Sequence, residues 1–117
     1  MKIERFEDIK AWQKAKEMTL CVYKIFGKNK DFRFRDQIQS ASVSVMNNIA
    51  EGFERRSDQE LSRFLYIAKG SCAEVRSMLY LAIDLKYISK EELEKIQGLS
   101  VEISKMLSGF IKTLRTL

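Results

Sequence analysis

The chain has no proline among its 117 residues and only five glycines. Proline breaks helices and central strands, and glycine weakens the interior of a helix, so these residues normally interrupt regular structure. Their scarcity favours long uninterrupted helices over sheet. Apolar residues also recur at three- and four-residue spacing, which is the helical period. We expect a first helix over residues 7–26 and a second over residues 34–54.

Two capping boxes predict where the third and fourth helices begin. Ser57 is followed three residues later by Glu60, and Ser89 by Glu92. Such a pair satisfies two amides that would otherwise be unpaired at the start of a helix. We expect a third helix about 40 Å long after Ser57 and a fourth helix after Ser89. Short connections between long amphipathic helices indicate antiparallel neighbours, so residues 1–117 are expected to form one all-α domain, an antiparallel up-down-up-down four-helix bundle.

The same periodicity predicts which side chains face the core. The first helix is expected to bury Ile9, Trp12, Lys16, Thr19, Tyr23 and Phe26. The third is expected to bury Leu61, Phe64, Leu65, Ala68, Cys72, Val75, Leu79 and Ala82. The fourth is expected to use Leu93, Ile96, Ser100, Ile103, Leu107, Phe110 and Leu114.

Composition excludes several classes of protein. No apolar run approaches the roughly 18 residues that a membrane helix needs, and the start of the chain does not resemble a signal peptide, so we expect a cytoplasmic protein with no membrane partner. The chain has no histidine, which excludes Ser-His and Cys-His catalysis, mixed Cys/His zinc sites and the Glu-x-x-His ligation of di-iron bundles. Cys21 and Cys72 are isolated and are expected to be buried, reduced thiols.

One group of acidic residues allows a catalytic alternative. Four carboxylates surround the expected turn between the second and third helices and could hold Mg²⁺ for a nuclease: Glu51, Glu54, Asp58 and Glu60. Arg55 and Arg56 occupy the same turn, however, and carboxylates in the first turn of a helix are explained by the helix dipole. We therefore expect no enzyme, no metal and no cofactor.

Residues 47–53 (NNIAEGF) are unusual for the interior of a bundle helix. Asn48 shares a face with apolar residues, and an unpaired buried amide costs about 1–3 kcal/mol, so it needs a partner. Gly52 indicates either a close backbone approach or the start of a helix break. Gly70 with Ser71 is expected to form a close-packing notch on the third helix that faces Gly52. Asn47, Glu51 and these residues are thus interpreted as a structural motif, with a ligand site as the alternative.

This motif also carries a resemblance. With residues 42–45 (SVSV) before it and residues 64–65 and 67–71 (FL, IAKGS) after it, the chain resembles a family of small bacterial four-helix-bundle proteins associated with intervening sequences of 23S ribosomal RNA. Trp12, Gln13, Ala15 and Tyr87 extend the match over nearly the whole chain. The resemblance implies a ring-shaped homopentamer. It reaches accessory variability determinants of retroelements, which implies contacts with a reverse transcriptase and with RNA or DNA.

The second helix is apolar on more than one face. A band displaced about 120° from Val45 is broader than one core requires, so we expect an oligomer interface there. Its residues are Val43, Met46, Ala50 and Phe53. The alternative is a wide core in which Phe53 lies under the turn that follows.

Positive charge gathers around the first turn. The formal net charge is +5, and basic residues alternate there with Phe32 and Phe34. In an up-down bundle the third turn lies at the same end, so six residues are expected to form a basic rim: Lys28, Lys30, Arg33, Arg35, Lys86 and Lys90. Basic patches with aromatic residues suit phosphates and stacked bases. The alternative is a solvated turn whose phenylalanines cap the core.

A second candidate surface lies on one flank of the third helix, and it contains Tyr66, Lys69, Arg76, Tyr80 and Tyr87. Such a flank is also compatible with ordinary packing at the edge of a bundle. The expected function is a non-catalytic homo-oligomeric nucleic-acid-binding or scaffold protein. The alternative is a purely structural homo-oligomeric adaptor that binds no nucleic acid.

Overall fold

The computed structural model describes residues 2–115, which contain four α-helices and no strand. The helices are α1 (Lys10–Phe26), α2 (Phe32–Glu54), α3 (Asp58–Asp84) and α4 (Lys90–Arg115), preceded by a 3-10 turn at Phe6–Asp8. They form a rod with extents of 46 × 20 × 19 Å. Within the described residues no helix has both the length and the hydropathy needed to cross a bilayer.

Contacts between consecutive helices run in opposite chain directions. Thr19 donates a hydrogen bond to the Ser42 carbonyl, whereas Phe26, further along α1, packs against Phe34, which is earlier in α2. The same reversal relates α2 to α3, as the contacts Gln37–Glu74 and Ser44–Ser71 show. It also relates α3 to α4, as the contacts Cys72–Ser100 and Tyr66–Arg115 show. Each helix packs against two others, and α4 closes the ring against α1. The predicted up-down-up-down bundle is therefore confirmed.

The predicted start of the first helix is wrong. Ile9 is extended, with φ −75° and ψ 120°, so the chain makes a single 3-10 turn, straightens, and begins α1 at Lys10. This break lets the Phe6 ring pack edge-to-face on the Trp12 ring, with 5.2 Å between the ring centroids. Ile9 itself is buried. At the next turn α2 begins two residues earlier than predicted, because the Asp31 carboxylate caps it by accepting a hydrogen bond from the Phe34 amide.

The predicted core row of α1 is also wrong in part. Lys16 and Tyr23 are exposed and Trp12 is only partly buried. The buried row is instead Ala11, Ala15, Met18, Thr19, Val22 and Phe26. Small alanines face the interior here and let the helices approach closely, whereas the larger aromatic residues cover the edge of the core.

Sequence periodicity is accurate for the two later helices. All eight residues predicted for the core of α3 are buried. In α4 five of the seven are buried, and Leu93 and Phe110 pack against the core from its edge. Both capping serines accept the expected amide hydrogen bond, and the Ser89 box is reciprocal because Glu92 accepts from the Ser89 amide at 3.0 Å.

Candidate nucleic-acid interface

The Gly52 region forms a close contact between α2 and α3. We call it the α2–α3 seam and define it by Ser44, Asn48, Gly52, Phe64 and Ser71. A Cβ atom at Gly52 would lie 2.6 Å from the Cβ of Phe64, closer than real Cβ contacts. The predicted close approach at Gly52 is therefore confirmed, with Phe64 as the facing residue.

The predicted role of Gly70 is wrong. Gly70 is exposed, and a Cβ atom there would meet nothing within 4 Å. Neighbouring helical residues point about 100° apart. Ser71 therefore faces α2 and is buried, while Gly70 faces solvent. Only one residue of the predicted notch belongs to the seam.

Asn48 has its partners inside the seam. Its side-chain amide donates to the carbonyl and to the hydroxyl oxygen of Ser44, at 2.8 and 2.9 Å. The Ser44 hydroxyl in turn lies 2.9 Å from that of Ser71. Among the described residues no buried side-chain polar atom lacks a hydrogen bond. The geometry thus supports the structural interpretation of the motif, since no buried side-chain polar atom of the seam is left without a partner.

The acidic residues near the second turn surround an arginine. The Arg55 guanidinium lies 2.8 Å from the Glu51 carboxylate and 3.9 Å from that of Glu60. Asn47 and Glu51 are both exposed on the outer side of α2. Across residues 2–115 no group of three or more potential ligands of the His, Cys, Asp or Glu type converges. Two of the four carboxylates, Glu51 and Glu60, therefore form an ion-pair network with Arg55.

The first and third turns lie at the same end of the bundle, as predicted. The Tyr87 hydroxyl donates a 2.7 Å hydrogen bond to the Asp31 carboxylate, and its ring packs on Phe34 at 5.2 Å. This hydrogen bond, with that from the Phe34 amide, lowers the pKa of Asp31, and the same bond raises the pKa of Tyr87. Tyr87 therefore belongs to this end and not to the predicted flank of α3.

The basic residues of the first turn differ in their surroundings. Lys28, Lys30 and Arg33 are exposed, whereas Arg35 is bound to Asp36 at 2.9 Å and lies over the Phe32 ring. Phe32 is 59% exposed. Phe34, in contrast, is buried and caps the core. The alternative interpretation, in which the phenylalanines of this turn cap the core, therefore holds for Phe34 and not for Phe32. We call Lys28, Lys30, Phe32 and Arg33 the first-turn patch.

The third turn adds little positive charge to this end. Lys86 and Lys90 are exposed, but they share the turn with Asp84, Glu91 and Glu92. Glu92 also caps α4. Any positive potential at this end therefore comes from the first turn, and the predicted six-residue rim reduces to one side of the bundle end.

A second basic surface runs between α3 and α4. Three α3 side chains of the predicted flank hydrogen-bond across to α4, in the pairs Tyr66–Arg115, Arg76–Ser100 and Tyr80–Gln97. Lys69 lines a cavity of about 240 Å³ in the same groove, together with Tyr66, Ser108, Ile111, Lys112 and Arg115. We call this surface the α3–α4 groove. The basic residues that α4 contributes to it were not among the predicted site residues.

The family model of the 23S rRNA-intervening sequence protein matches residues 7–109. The chain belongs to this family. A crystal structure of a protein of unknown function from the S23 ribosomal protein family of Bacteroides thetaiotaomicron is 30% identical and superposes with a TM-score of 0.81. The match covers 87% of this chain and 98% of that one. No curated protein is significantly similar in sequence.

This intervening-sequence family member also has an apolar strip along α1 and α2. Of the predicted interface band, Val43, Met46 and Ala50 are half-buried, which is compatible with an interface that a single subunit leaves uncovered. Phe53 is only 7% exposed and belongs to the core. Thr19 touches α2 at Ser42, and the exposed Leu20 and Tyr23 follow on α1. We call Leu20, Tyr23, Val43, Met46 and Ala50 the α1–α2 strip. Tyr23 was missed because the predicted core row of α1 included it, and Leu20 was not among the predicted interface residues.

Proposed function

We propose that this protein is a non-catalytic, self-associating protein that binds nucleic acid through sequence-independent contacts with phosphates. The first-turn patch is the observation that carries this proposal. Lys28, Lys30 and Arg33 are exposed, and none of them lies within 4 Å of a carboxylate oxygen among the described residues. The nearby Asp31 carboxylate is held by Tyr87 and by the Phe34 amide. Unpaired cations beside an exposed aromatic ring suit a phosphate backbone and an unstacked base.

Family membership supports the same function, because the family is named for an intervening sequence of 23S rRNA. Self-association would repeat the first-turn patch around an assembly, so weak contacts would add by multivalency. The proposal includes two further features that the resemblance implies. The assembly is a ring of five copies, and a reverse transcriptase is its protein partner. Contacts with phosphates carry no sequence information, so specificity is expected to be low.

Affinity measured against salt concentration tests the proposal. A phosphate binder loses affinity steeply as salt rises, and each lost contact reduces the slope of log K against log salt by about 0.7 for a single strand. We expect the triple variant Lys28→Gln, Lys30→Gln, Arg33→Gln to fold normally, to bind more weakly and to show a shallower slope. The matched control removes three exposed lysines outside both basic surfaces: Lys2→Gln, Lys10→Gln and Lys16→Gln. Equal affinity and slope in wild type and in the triple variant would contradict the proposed contact.

The second candidate function is a structural homo-oligomeric adaptor, which the α1–α2 strip favours. Leu20 is 61% exposed and Tyr23 is 46% exposed, and they continue the apolar band of α2 into one patch of the kind that marks an interaction surface. We expect Leu20→Glu to leave the fold intact and to reduce the molar mass measured by light scattering. Ile67→Glu on α3, at a residue that is 46% exposed, is the matched control and should not dissociate the assembly. A wild-type monomer at high concentration would contradict self-association, whereas an oligomer without salt-dependent nucleic-acid binding would favour the adaptor.

A further inference from the structure

The α3–α4 groove gathers positive charge from two helices that are distant in sequence. Lys69 and Arg76 come from α3, and Lys112 and Arg115 come from α4. The Arg76 guanidinium is held in place by a 3.3 Å hydrogen bond to the Ser100 hydroxyl. No carboxylate of the described chain lies within ion-pair distance of these four residues, although seven ion pairs occur elsewhere on the surface. The groove therefore presents four cations without an ion-paired carboxylate, and the nearest acidic residue is at its end, where Asp58 lines a neighbouring cavity with Arg115.

The acidic residues of both helices are turned away from the groove. Between residues 61 and 83 the only acidic residue of α3 is Glu74, which faces α2 and accepts from Gln37. Between residues 95 and 115 the only acidic residue of α4 is Glu102, which pairs with Lys14 of α1 at 3.6 Å. Over the length of the groove, carboxylates thus face the neighbouring helices and cations face outward. A long anionic ligand matches this distribution.

Two tyrosine rings flank the cations. Tyr66 is 46% exposed and Tyr80 is 58% exposed, and each hydroxyl is fixed by a side chain of α4. Their separation of 14 residues corresponds to about 21 Å along the helix. Rings held at their hydroxyl ends leave their faces available, and stacking on such faces recognises any unpaired base. Paired bases inside a duplex do not offer these faces, so the rings favour a single strand.

We propose that the α3–α4 groove is a binding site for a single-stranded polynucleotide, whose phosphates contact Lys69, Arg76, Lys112 and Arg115 and whose bases stack on Tyr66 and Tyr80. The class of ligand rests on the proposed function, but this site is separate from the first-turn patch. The exposed Ser108 and the half-buried Gln97 on α4 supply polar contacts without sequence selectivity. The strand therefore lies along the long axis of the bundle and not across its end.

Two kinds of variant separate the charge and stacking contributions. Titrations of fluorescent oligo(U) and oligo(dT) at several salt concentrations provide affinity and slope. Lys69→Gln with Lys112→Gln should reduce the slope by about 1.4 and weaken binding at low salt, whereas Lys10→Gln with Lys16→Gln on α1 should change neither. Tyr80→Leu should weaken binding about five- to 100-fold at every salt concentration with the slope unchanged, and Tyr80→Phe should bind within about twofold of wild type.

Further arms of the experiment assign each result. The expected result is that both oligonucleotides bind more tightly than a duplex and that the groove variants lose affinity. If the first-turn triple variant loses binding and the groove variants bind as wild type does, the groove proposal is wrong and the proposed function stands. If neither oligonucleotide binds at low salt, both fail. If polyglutamate binds as tightly as oligo(U) and Tyr80→Leu has no effect, the groove recognises an acidic protein segment and the proposal is wrong.

Discussion

The two sides of α3 differ in almost every physical respect. Toward α2 the helix is close-packed around Gly52 and carries hydroxyl and amide groups that satisfy one another. Toward α4 it opens into a groove with four cations that form no ion pair among the described residues and with two exposed tyrosines. Asn48, Gly52 and Ser71 are conspicuous in the sequence and lie in the α2–α3 seam, where their contacts explain them without a ligand. The surface suited to binding consists of residues that would be ordinary on any helix.

This comparison makes a general expectation for mutagenesis. Changes in the seam should alter stability and leave nucleic-acid affinity of the folded protein unchanged. Changes in the groove should alter affinity while stability remains within about 0.5 kcal/mol, the usual range for surface substitutions. A seam variant that folds normally but fails to bind would break the distinction between the two sides.

The largest effect is expected at Gly52. Alanine there places a methyl group 2.6 Å from the Phe64 Cβ, so α2 and α3 must separate. Overpacking of this kind costs about 1–3 kcal/mol, which exceeds the gain of about 1 kcal/mol that alanine brings in helix propensity. Urea denaturation of Gly52→Ala should show a lower free energy of unfolding than wild type. Higher stability in this variant would contradict the close approach.

A smaller loss is expected when the hydroxyl pair of the seam is removed. Ser71→Ala deletes one partner of the 2.9 Å contact with Ser44, and a typical buried hydrogen bond contributes about 1 kcal/mol. Ser108→Ala, at an exposed serine of the groove, is the matched control and should be neutral. A double-mutant cycle with Ser44→Ala measures the coupling between the two hydroxyls. A coupling energy of zero would show that the serines act independently.

Gly70 should respond in the opposite direction from Gly52. Its Cβ position is empty, so alanine adds helix propensity without a steric cost and should raise the free energy of unfolding by up to about 1 kcal/mol. Thermal unfolding of the two glycine variants side by side checks this sign. Destabilisation by Gly70→Ala would mean that the outer face of α3 is covered in the assembled protein.

The smallest effect concerns Cys72, which lies between the seam and the groove. Burial raises the pKa of the Cys72 thiol to about 11. The ordinary value is about 8.5, so the thiolate fraction at pH 8 is reduced about a hundredfold or more. Alkylation should therefore label the partly exposed Cys21 in the native protein and Cys72 only after denaturation. Rapid labelling of Cys72 in the native protein would show that the alkylating reagent reaches this buried thiol through the α3–α4 groove.

Much of the fold could be predicted from the sequence, for identifiable reasons. The core row of α3 and both capping boxes are strong local signals, because long periodic segments and serine–glutamate pairs act within a single helix. The break at Ile9 could not be predicted, since it depends on Phe6 packing against Trp12. The buried row of α1 was missed because Ala11 and Ala15 carry a weak apolar signal.

The candidate sites were harder to predict than the helices. Topology correctly placed the first and third turns together, but it gave no weight to the acids that accompany Lys86 and Lys90. The groove was only half recognised, because Lys112 lies 43 residues from Lys69 in the numbering and only the register of α3 against α4 brings them together. Periodicity identifies the buried face of a helix, but it does not give the register of that helix against its neighbour.

Ultraviolet cross-linking to oligo(U), with the modified peptides identified by mass spectrometry, tests the central claim most directly. The chain has four tyrosines on different surfaces, so it contains its own controls. Stacking in the α3–α4 groove predicts cross-links at Tyr66 and Tyr80, and none at Tyr23 on α1 or at Tyr87, whose hydroxyl is bound to Asp31. Cross-links at Tyr23 or Tyr87 without any at Tyr66 and Tyr80 would contradict the account.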